Sequence, residues 1–391
     1  MLEAFYKTHE YLVSHLETPV HRRLIDEIDW DDRLIAIKGC RGVGKSTFLL
    51  SYAKNRFGVS RECLYVNFNN FYFTKQSLTE FAAIFVAGGG KTLLLDQIFK
   101  YPNWSSDLRK CYEKFPSLHI VFTASPVMRL TEENNDLRDI VKMYNLRGFS
   151  FREYLNLTAH KNFPVYTLKD ITTRHETISR QIAAEVNPLW YFPDYLRHGY
   201  YPFYLEKHDF SETLLKTMNM MLEVDILLIR QIDITYLEQL RHLLYIFLSE
   251  SPCSLNVSRL AEETGIARAT VMNYLKYLKD ARLLNLLYTE EKQFPQKPAR
   301  VYMQNTNLLY ALPTRNVSEQ AIAETFFYNA LHGTHKINAT DRTANFVVDN
   351  KQYFNISERP SSKASFRLAA VSNLEVGIGN QVPLWLFGFL Y

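Results

Sequence analysis

Gly39-Cys40-Arg41-Gly42-Val43-Gly44-Lys45-Ser46 fits the pattern of a phosphate-binding loop, with glycines at its first and sixth positions and a lysine and a hydroxyl at its close. Upstream lies the apolar run Leu34-Ile35-Ala36-Ile37, and downstream the helix-like stretch Thr47-Phe48-Leu49-Leu50-Ser51-Tyr52-Ala53. The string therefore sits between a strand and a helix, which is the context its chemistry needs. Glycines let the backbone curl around phosphate oxygens with N–H groups pointing inward, and the following helix offers its partly positive N-terminus to the same anion. Lys45 is expected to bridge the β- and γ-phosphates, and Ser46 to ligate Mg²⁺ through its hydroxyl. The residues expected to hold nucleotide are Gly39, Cys40, Arg41, Gly42, Val43, Gly44, Lys45, Ser46 and Thr47, and the expected cofactors are ATP and Mg²⁺.

Working outward, Cys63-Leu64-Tyr65-Val66, Thr92-Leu93-Leu94-Leu95 and His119-Ile120-Val121-Phe122 repeat the short apolar run of Leu34 to Ile37. They lack polar alternation and are separated by amphipathic stretches, which predicts parallel strands buried on both faces by crossover helices. The expectation is an α/β fold, a P-loop NTPase parallel sheet. Leu93-Leu94-Leu95 delivers Asp96 to the C-terminal end of its strand, where open α/β sheets bind ligands, so Asp96 is the candidate for the outer Mg²⁺ shell.

At 391 residues the chain is too long for one core, and two to three domains are expected. A formal charge of +4 provides no global basic field, so any nucleic-acid binding has to come from local patches. Cys40, Cys63, Cys111 and Cys253 form no CxxC pair, which argues against a zinc site or a disulfide framework and for a reduced, cytoplasmic setting. No run of about eighteen apolar residues occurs, so no membrane span is expected.

The boundaries predicted are 1–154 for the nucleotide core, 155–235 for a helical lid or linker, 236–312 for a winged-helix-like domain and 313–391 for a small α+β domain. Within the third, Val257, Leu260 and Ala261 share a helical face, Thr264-Gly265-Ile266 makes a tight turn, and Val271, Tyr274, Leu275 and Leu278 mark a second amphipathic helix. Two strand-like runs follow, 283–288 and 300–303, with a wing between them. If DNA is bound, Arg268, Thr270, Asn273 and Lys276 face it, with Lys292 and Lys297 on the wing. Glu262, Glu263, Glu290 and Glu291 oppose that charge, and docking of a protein partner is the alternative use. The apolar tail beginning at Val382, which closes in Leu384-Trp385-Leu386-Phe387-Gly388-Phe389-Leu390-Tyr391, is expected to pack as a terminal strand.

The chain resembles bacterial AAA-type ATPases that carry a C-terminal domain of uncharacterised function related to restriction-endonuclease folds. The resemblance rests on the loop Gly39 to Ser46, on Leu94-Leu95-Asp96-Gln97-Ile98 with Lys100-Tyr101-Pro102-Asn103-Trp104, and on Phe122-Thr123-Ala124-Ser125. It extends through Leu146-Arg147-Gly148-Phe149-Ser150-Phe151-Arg152-Glu153-Tyr154, Gly199-Tyr200-Tyr201-Pro202-Phe203 and Pro383 to Phe389. Gln97 departs from it, since the family places a glutamate after the metal aspartate to polarise the attacking water. Loss of that carboxylate implies triphosphate binding with slowed hydrolysis, unless Glu132 or Glu133 substitutes or Gln97 itself orients the water. The resemblance further implies that Thr123 senses the γ-phosphate and that Arg138, Arg147 or Arg152 stabilises phosphate charge, in cis or across a subunit interface if the chain oligomerises. In the C-terminal part, Asn345 (in Thr343 to Val348) and Asn355 stand where the family has carboxylates, and Arg359 where it has lysine. No nuclease activity is expected there, and Glu324 is expected to be a solvated or helix-pairing residue.

Overall fold

Leu34, Ile35, Ala36 and Ile37 are each at most 1% exposed, the burial on both faces that marks an interior strand of the first sheet. The computed structural model describes residues 2–206, 208–312, 315–340, 344–360 and 367–391, so Thr343 lies outside the described residues. The chain divides into two compact units, Met1–Arg147 and Gly148–Tyr391.

The first unit runs α1 (Leu2–Ser14), α2 (Leu24–Glu27), β1 (Leu34–Lys38), α3 (Lys45–Arg56), β2 (Cys63–Asn67), α4 (Leu78–Ala87), β3 (Thr92–Asp96), α5 (Trp104–Lys114), β4 (His119–Ala124) and β5 (Lys142–Asn145). Its strands are parallel in the order β2-β3-β4-β1-β5. Four of these strands match the apolar runs of the sequence. The fifth does not: Lys142, Met143 and Asn145 are exposed, so an edge strand with no apolar run was invisible to a pattern search. The register sets Asn67 opposite Asp96 and Ile37 opposite Thr123, which brings three strand ends together beside the loop that follows β1. Strand β2 lies at the other edge. Its outward N–H, at Tyr65, donates to Nδ1 of the fully buried His9 on α1 at 3.0 Å, which closes that edge. This arrangement is the α/β architecture of a P-loop NTPase.

The second unit begins with α6 (Phe151–Thr158), α7 (Leu168–Ala183) and α8 (Pro188–Asp194), continues through α9 (Phe210–Met220) and α10 (Leu237–Glu250), and reaches α11 (Val257–Thr264) and α12 (Arg268–Asp280). Gly265 joins α11 to α12 in the left-handed region at φ +67, the conformation that ends a helix without a Cβ clash. Then come the antiparallel pair β6 (Leu284–Leu287) and β7 (Arg300–Met303), α13 (Thr306–Leu309) and α14 (Glu319–Leu331). Last are β8 (Ile337–Asn338), β9 (Phe346–Val348), β10 (Gln352–Ser357), β11 (Leu368–Val371) and β12 (Gln381–Pro383). These five form a mixed sheet, antiparallel from β8 to β10 and parallel from β10 to β12.

Two expectations are corrected here. The segment 155–235 is not a separate lid in its first half, because α6, α7 and α8 share one core with the end of the chain. Phe151, Ile171, Ile178 and Phe192 pack in a single cluster with Phe326, Trp385 and Phe389. The backbone N–H groups of Gly377 and Gly379 donate to Ser179 and Glu176 on α7, and Tyr166 donates to the Phe389 carbonyl. The boundary accordingly falls at Arg147/Gly148 and not at 154/155. The apolar tail is a strand only at its start, where Val382 and Pro383 belong to the edge strand β12. After β12, residues Leu384–Phe389 wind into a 3₁₀ helix with every side chain buried. A strand at a sheet edge shows alternate residues to opposite faces, whereas a helical turn surrounded by core buries six consecutive apolar residues at once. Gly388 is needed there, since a Cβ would come within 2.5 Å of Phe151 Cβ.

Candidate nucleotide site

The loop after β1 is shaped by its own residues. Gly42 and Gly44 have φ +84 and +89, open to glycine and strained for other residues, and Gly44 caps α3 so that the helix starts at Lys45. Gly39 is wedged between neighbouring strands. Its N–H donates to the Ala124 carbonyl at the end of β4, and a Cβ on it would meet the Leu146 carbonyl beyond β5 at 2.5 Å. Cys40 and Val43 are buried under the loop, while Arg41 and Lys45 are half-buried and Thr47 is exposed on the first turn of α3. The Lys45 ammonium lies across the loop, donating to the Gly39 carbonyl at 2.6 Å and to that of Cys40 at 2.9 Å.

Beside the loop, Asp96 is buried at 1% exposure and its carboxylate accepts four hydrogen bonds. Oδ2 takes Ser46 Oγ at 2.7 Å, Tyr65 Oη at 2.7 Å and Asn67 Nδ2 at 3.3 Å, and Oδ1 takes Thr123 Oγ1 at 2.7 Å. Burial and the Asp96 carboxylate together push the Tyr65 phenol well above its ordinary range, so it stays a donor. A hydroxyl has one proton. Ser46 directs its proton at Asp96, which leaves the lone pairs of its oxygen for a cation.

Thr123 is placed differently from expectation. Its proton is given to Asp96, and its oxygen accepts the Gln97 N–H at 2.9 Å. A γ-phosphate could claim that proton only by displacing Asp96, so here Thr123 orients Asp96 and Gln97. Gln97 is half-buried and held at φ +55, a left-handed conformation uncommon for a residue other than glycine or Asn. Such positions cluster where a site constrains its backbone.

The three arginines separate. Arg138 is exposed on the stretch between β4 and β5, a stretch tied to α5 by Arg109 bonds to Asp139 and the Asp136 carbonyl. Arg147 is half-buried just past β5, and its carbonyl accepts from Arg22, whose guanidinium also donates to the Val43 carbonyl at 3.2 Å. Arg152 is corrected outright. It is 7% exposed in the second unit, where it donates to the Tyr391 and Phe163 carbonyls. Glu132 and Glu133 are exposed, and Glu133 pairs with Arg129 at 2.6 Å.

Sequence reasoning missed Tyr65, Asn67 and Arg22. Cys63 to Val66 reads as a buried apolar run, and only the polar Asn67 at its end hints that the strand delivers donors to a site.

In the second unit, Arg268 and Asn273 are exposed on α12, and Thr270 is half-buried. Lys276 is half-buried, and its ammonium lies 4.8 Å from the ring centre of Phe294 in the β6–β7 connection. Lys292 and Lys297 are exposed on that connection, as are Glu290 and Glu291. Glu324 pairs along its own helix with Gln320, one of its two expected uses, but it is not solvated. It is 3% exposed and accepts from Arg300 at 2.9 Å, Tyr302 at 2.9 Å, Gln320 at 2.8 Å and Asn345 at 3.0 Å. Arg359 is 83% exposed and pairs with Glu358, away from any such cluster. Among the described residues no group of three or more His, Cys, Asp or Glu could hold a metal ion, and no helix is long and apolar enough to cross a membrane.

Residues 31–155 match the family described as AAA domain, and residues 189–320 match the Domain of unknown function (DUF8612). The chain is 27% identical over 273 residues to the uncharacterized protein MJ1637 of Methanocaldococcus jannaschii, an alignment spanning 65% of this chain and 56% of that relative. Among solved structures it is similar to the ORC1 protein of Aeropyrum pernix in complex with DNA, at 11% identity and a TM-score of 0.30, over 80% of this chain and 92% of that one. The AMPPCP-bound DnaA from Aquifex aeolicus is similar at 14% identity and a TM-score of 0.26, over 71% and 88% of the two chains. Scores of that size carry no argument. The AAA match coincides with the loop, the buried aspartate and the sheet order already described, and it supports an ATP-binding, AAA-type domain in this chain.

Proposed function

We propose that the first unit binds a nucleoside triphosphate with Mg²⁺, hydrolyses it slowly, and acts as a nucleotide-dependent switch. The observation that carries this is the bonded series Ser46, Asp96, Thr123 and Gln97, set against a loop with two left-handed glycines. The donor set fits a metal–triphosphate: loop amides and an ammonium for the phosphates, and a serine oxygen backed by a buried carboxylate for a hard cation. Mg²⁺ would neutralise phosphate charge when bound. Lys45 would exchange the Gly39 and Cys40 carbonyls for phosphate oxygens, and that exchange is the local event of the switch. Gln97 offers an amide where a base is wanted, so it can orient water without accepting its proton.

Calorimetry tests the reading. Mg²⁺-dependent association of ATP or GTP is expected, weakened about 10- to 100-fold by Lys45→Ala, the range for losing charged hydrogen bonds. No association by wild type, or none lost on the substitution, overturns it.

A second reading is a winged-helix DNA-binding role for α11, α12 and the β6–β7 pair, favoured by Arg268 and Asn273 lying exposed on one helix. Duplex binding should then fall with added salt, and Arg268→Ala should reduce that salt slope by about one unit. Binding that ignores salt, or a slope unchanged by the substitution, removes this reading. In the same way we read the C-terminal sheet as scaffold without nuclease activity, because the amides of Asn345 and Asn355 stand where carboxylates would be needed for a hard cation. An active motor that turns over despite Gln97 is the remaining alternative, and the single-turnover rate of a Gln97→Glu variant separates it.

A further inference from the structure

We infer that Tyr65, assisted by Asn67, is a positioning residue for Mg²⁺, holding the Asp96 carboxylate so that Ser46 presents its oxygen to the metal. The inference rests on the nucleotide reading above and adds residues that no motif contains.

The geometry comes from the edge strand. Side chains two apart on a strand share a face, so Tyr65 and Asn67 point the same way. The register puts Tyr65 opposite Leu94, two residues short of Asp96, a gap of roughly 7 Å along the strand. A phenol ring spans that distance, and the hydroxyl arrives 2.7 Å from Asp96 Oδ2 while Asn67 Nδ2 reaches the same oxygen at 3.3 Å. The strand is itself fixed on both sides at this point, by the β3 ladder and by His9 accepting the Tyr65 N–H. Oδ2 thus receives donors from Ser46, Tyr65 and Asn67, and Oδ1 receives Thr123. Carboxylate rotation about its Cβ–Cγ bond is blocked from both ends. That matters because the Ser46 hydroxyl must keep pointing its proton at Asp96 for its lone pairs to face a cation. Tyr65→Phe would fill the same buried volume and remove one of the two donors 2.7 Å from Asp96 Oδ2.

The test is a Mg²⁺ titration of ATP binding, read by calorimetry, with a parallel titration of ATP in EDTA, for wild type and Tyr65→Phe. The phosphates meet the loop and Lys45, which the substitution leaves intact, so affinity in EDTA should be unchanged. The Mg²⁺-dependent gain should weaken roughly tenfold, the size of one hydrogen bond to an ionised carboxylate. An unchanged Mg²⁺ dependence overturns the inference. So does a parallel loss in EDTA, which marks a merely structural role. Asn67→Ala should show the same split at smaller size, and an Asn67→Ala variant that lowers both affinities equally also counts against it. Failure of the nucleotide reading looks different, since wild type then binds no triphosphate at any Mg²⁺ concentration.

Discussion

Gln97→Glu is expected to raise the single-turnover rate of ATP hydrolysis by 10²-fold or more, within the roughly 10²- to 10⁴-fold range of a positioned general base. The site is prepared for the change. The Gln97 N–H is held by Thr123, the residue follows a strand ending in Asp96, and its half-buried side chain starts from a constrained left-handed backbone. Glutamate has the same length and shape as glutamine, so the substitution adds an acceptor of protons without altering the packing. Triphosphate affinity should stay within about twofold, because the phosphates are met by the loop and not by residue 97. Rapid-quench measurement of product under enzyme excess reads the step directly. Equal rates in wild type and variant would overturn the claim that Gln97 impairs turnover, and equally fast rates would leave the active motor as the reading.

Glu324→Ala is expected to destabilise the second unit by about 3 kcal/mol, the lower end of the cost of breaking a buried ion pair from one side. The lower end applies because Arg300 is 37% exposed and regains water when its partner leaves. Tyr302 cannot do so. It is fully buried, and its hydroxyl loses its acceptor together with the amides of Gln320 and Asn345. Glu324→Gln should cost less, since it keeps an oxygen for Tyr302. Urea denaturation of the whole chain, followed by far-UV circular dichroism, measures both. A change below about 1 kcal/mol for the alanine variant would show that the cluster is not a structural lock of this unit.

The nucleotide loop was legible because its signal is local. Gly39 to Ser46 is contiguous, its glycines are needed at two positive φ angles, and the runs that become β1 to β4 are apolar enough to read alone. Asp96 was legible for the same reason, as the polar residue ending an apolar strand. What surrounds Asp96 was not. Tyr65 looks like core in the string Cys63 to Val66, and its hydroxyl acquires a role only through the register of β2 against β3. Thr123 was read as a sensor from its place after a strand, yet the destination of its single proton is a matter of tertiary distance.

The second unit shows the same divide. Helices α11 and α12 announce themselves by period and by Gly265. The union of α6, α7 and α8 with the last ten residues spans more than two hundred positions, and no periodicity encodes which apolar face meets which. Sequence alone determined the strands β1 to β4, the helices α3, α11 and α12 and the residues expected to grip a phosphate, because backbone sterics and side-chain chemistry act within a few positions. Tertiary structure decided which donors share the Asp96 carboxylate, why Glu324 is buried, and why the tail is a helical turn, because hydrogen bonds and burial are settled between segments brought together only by folding.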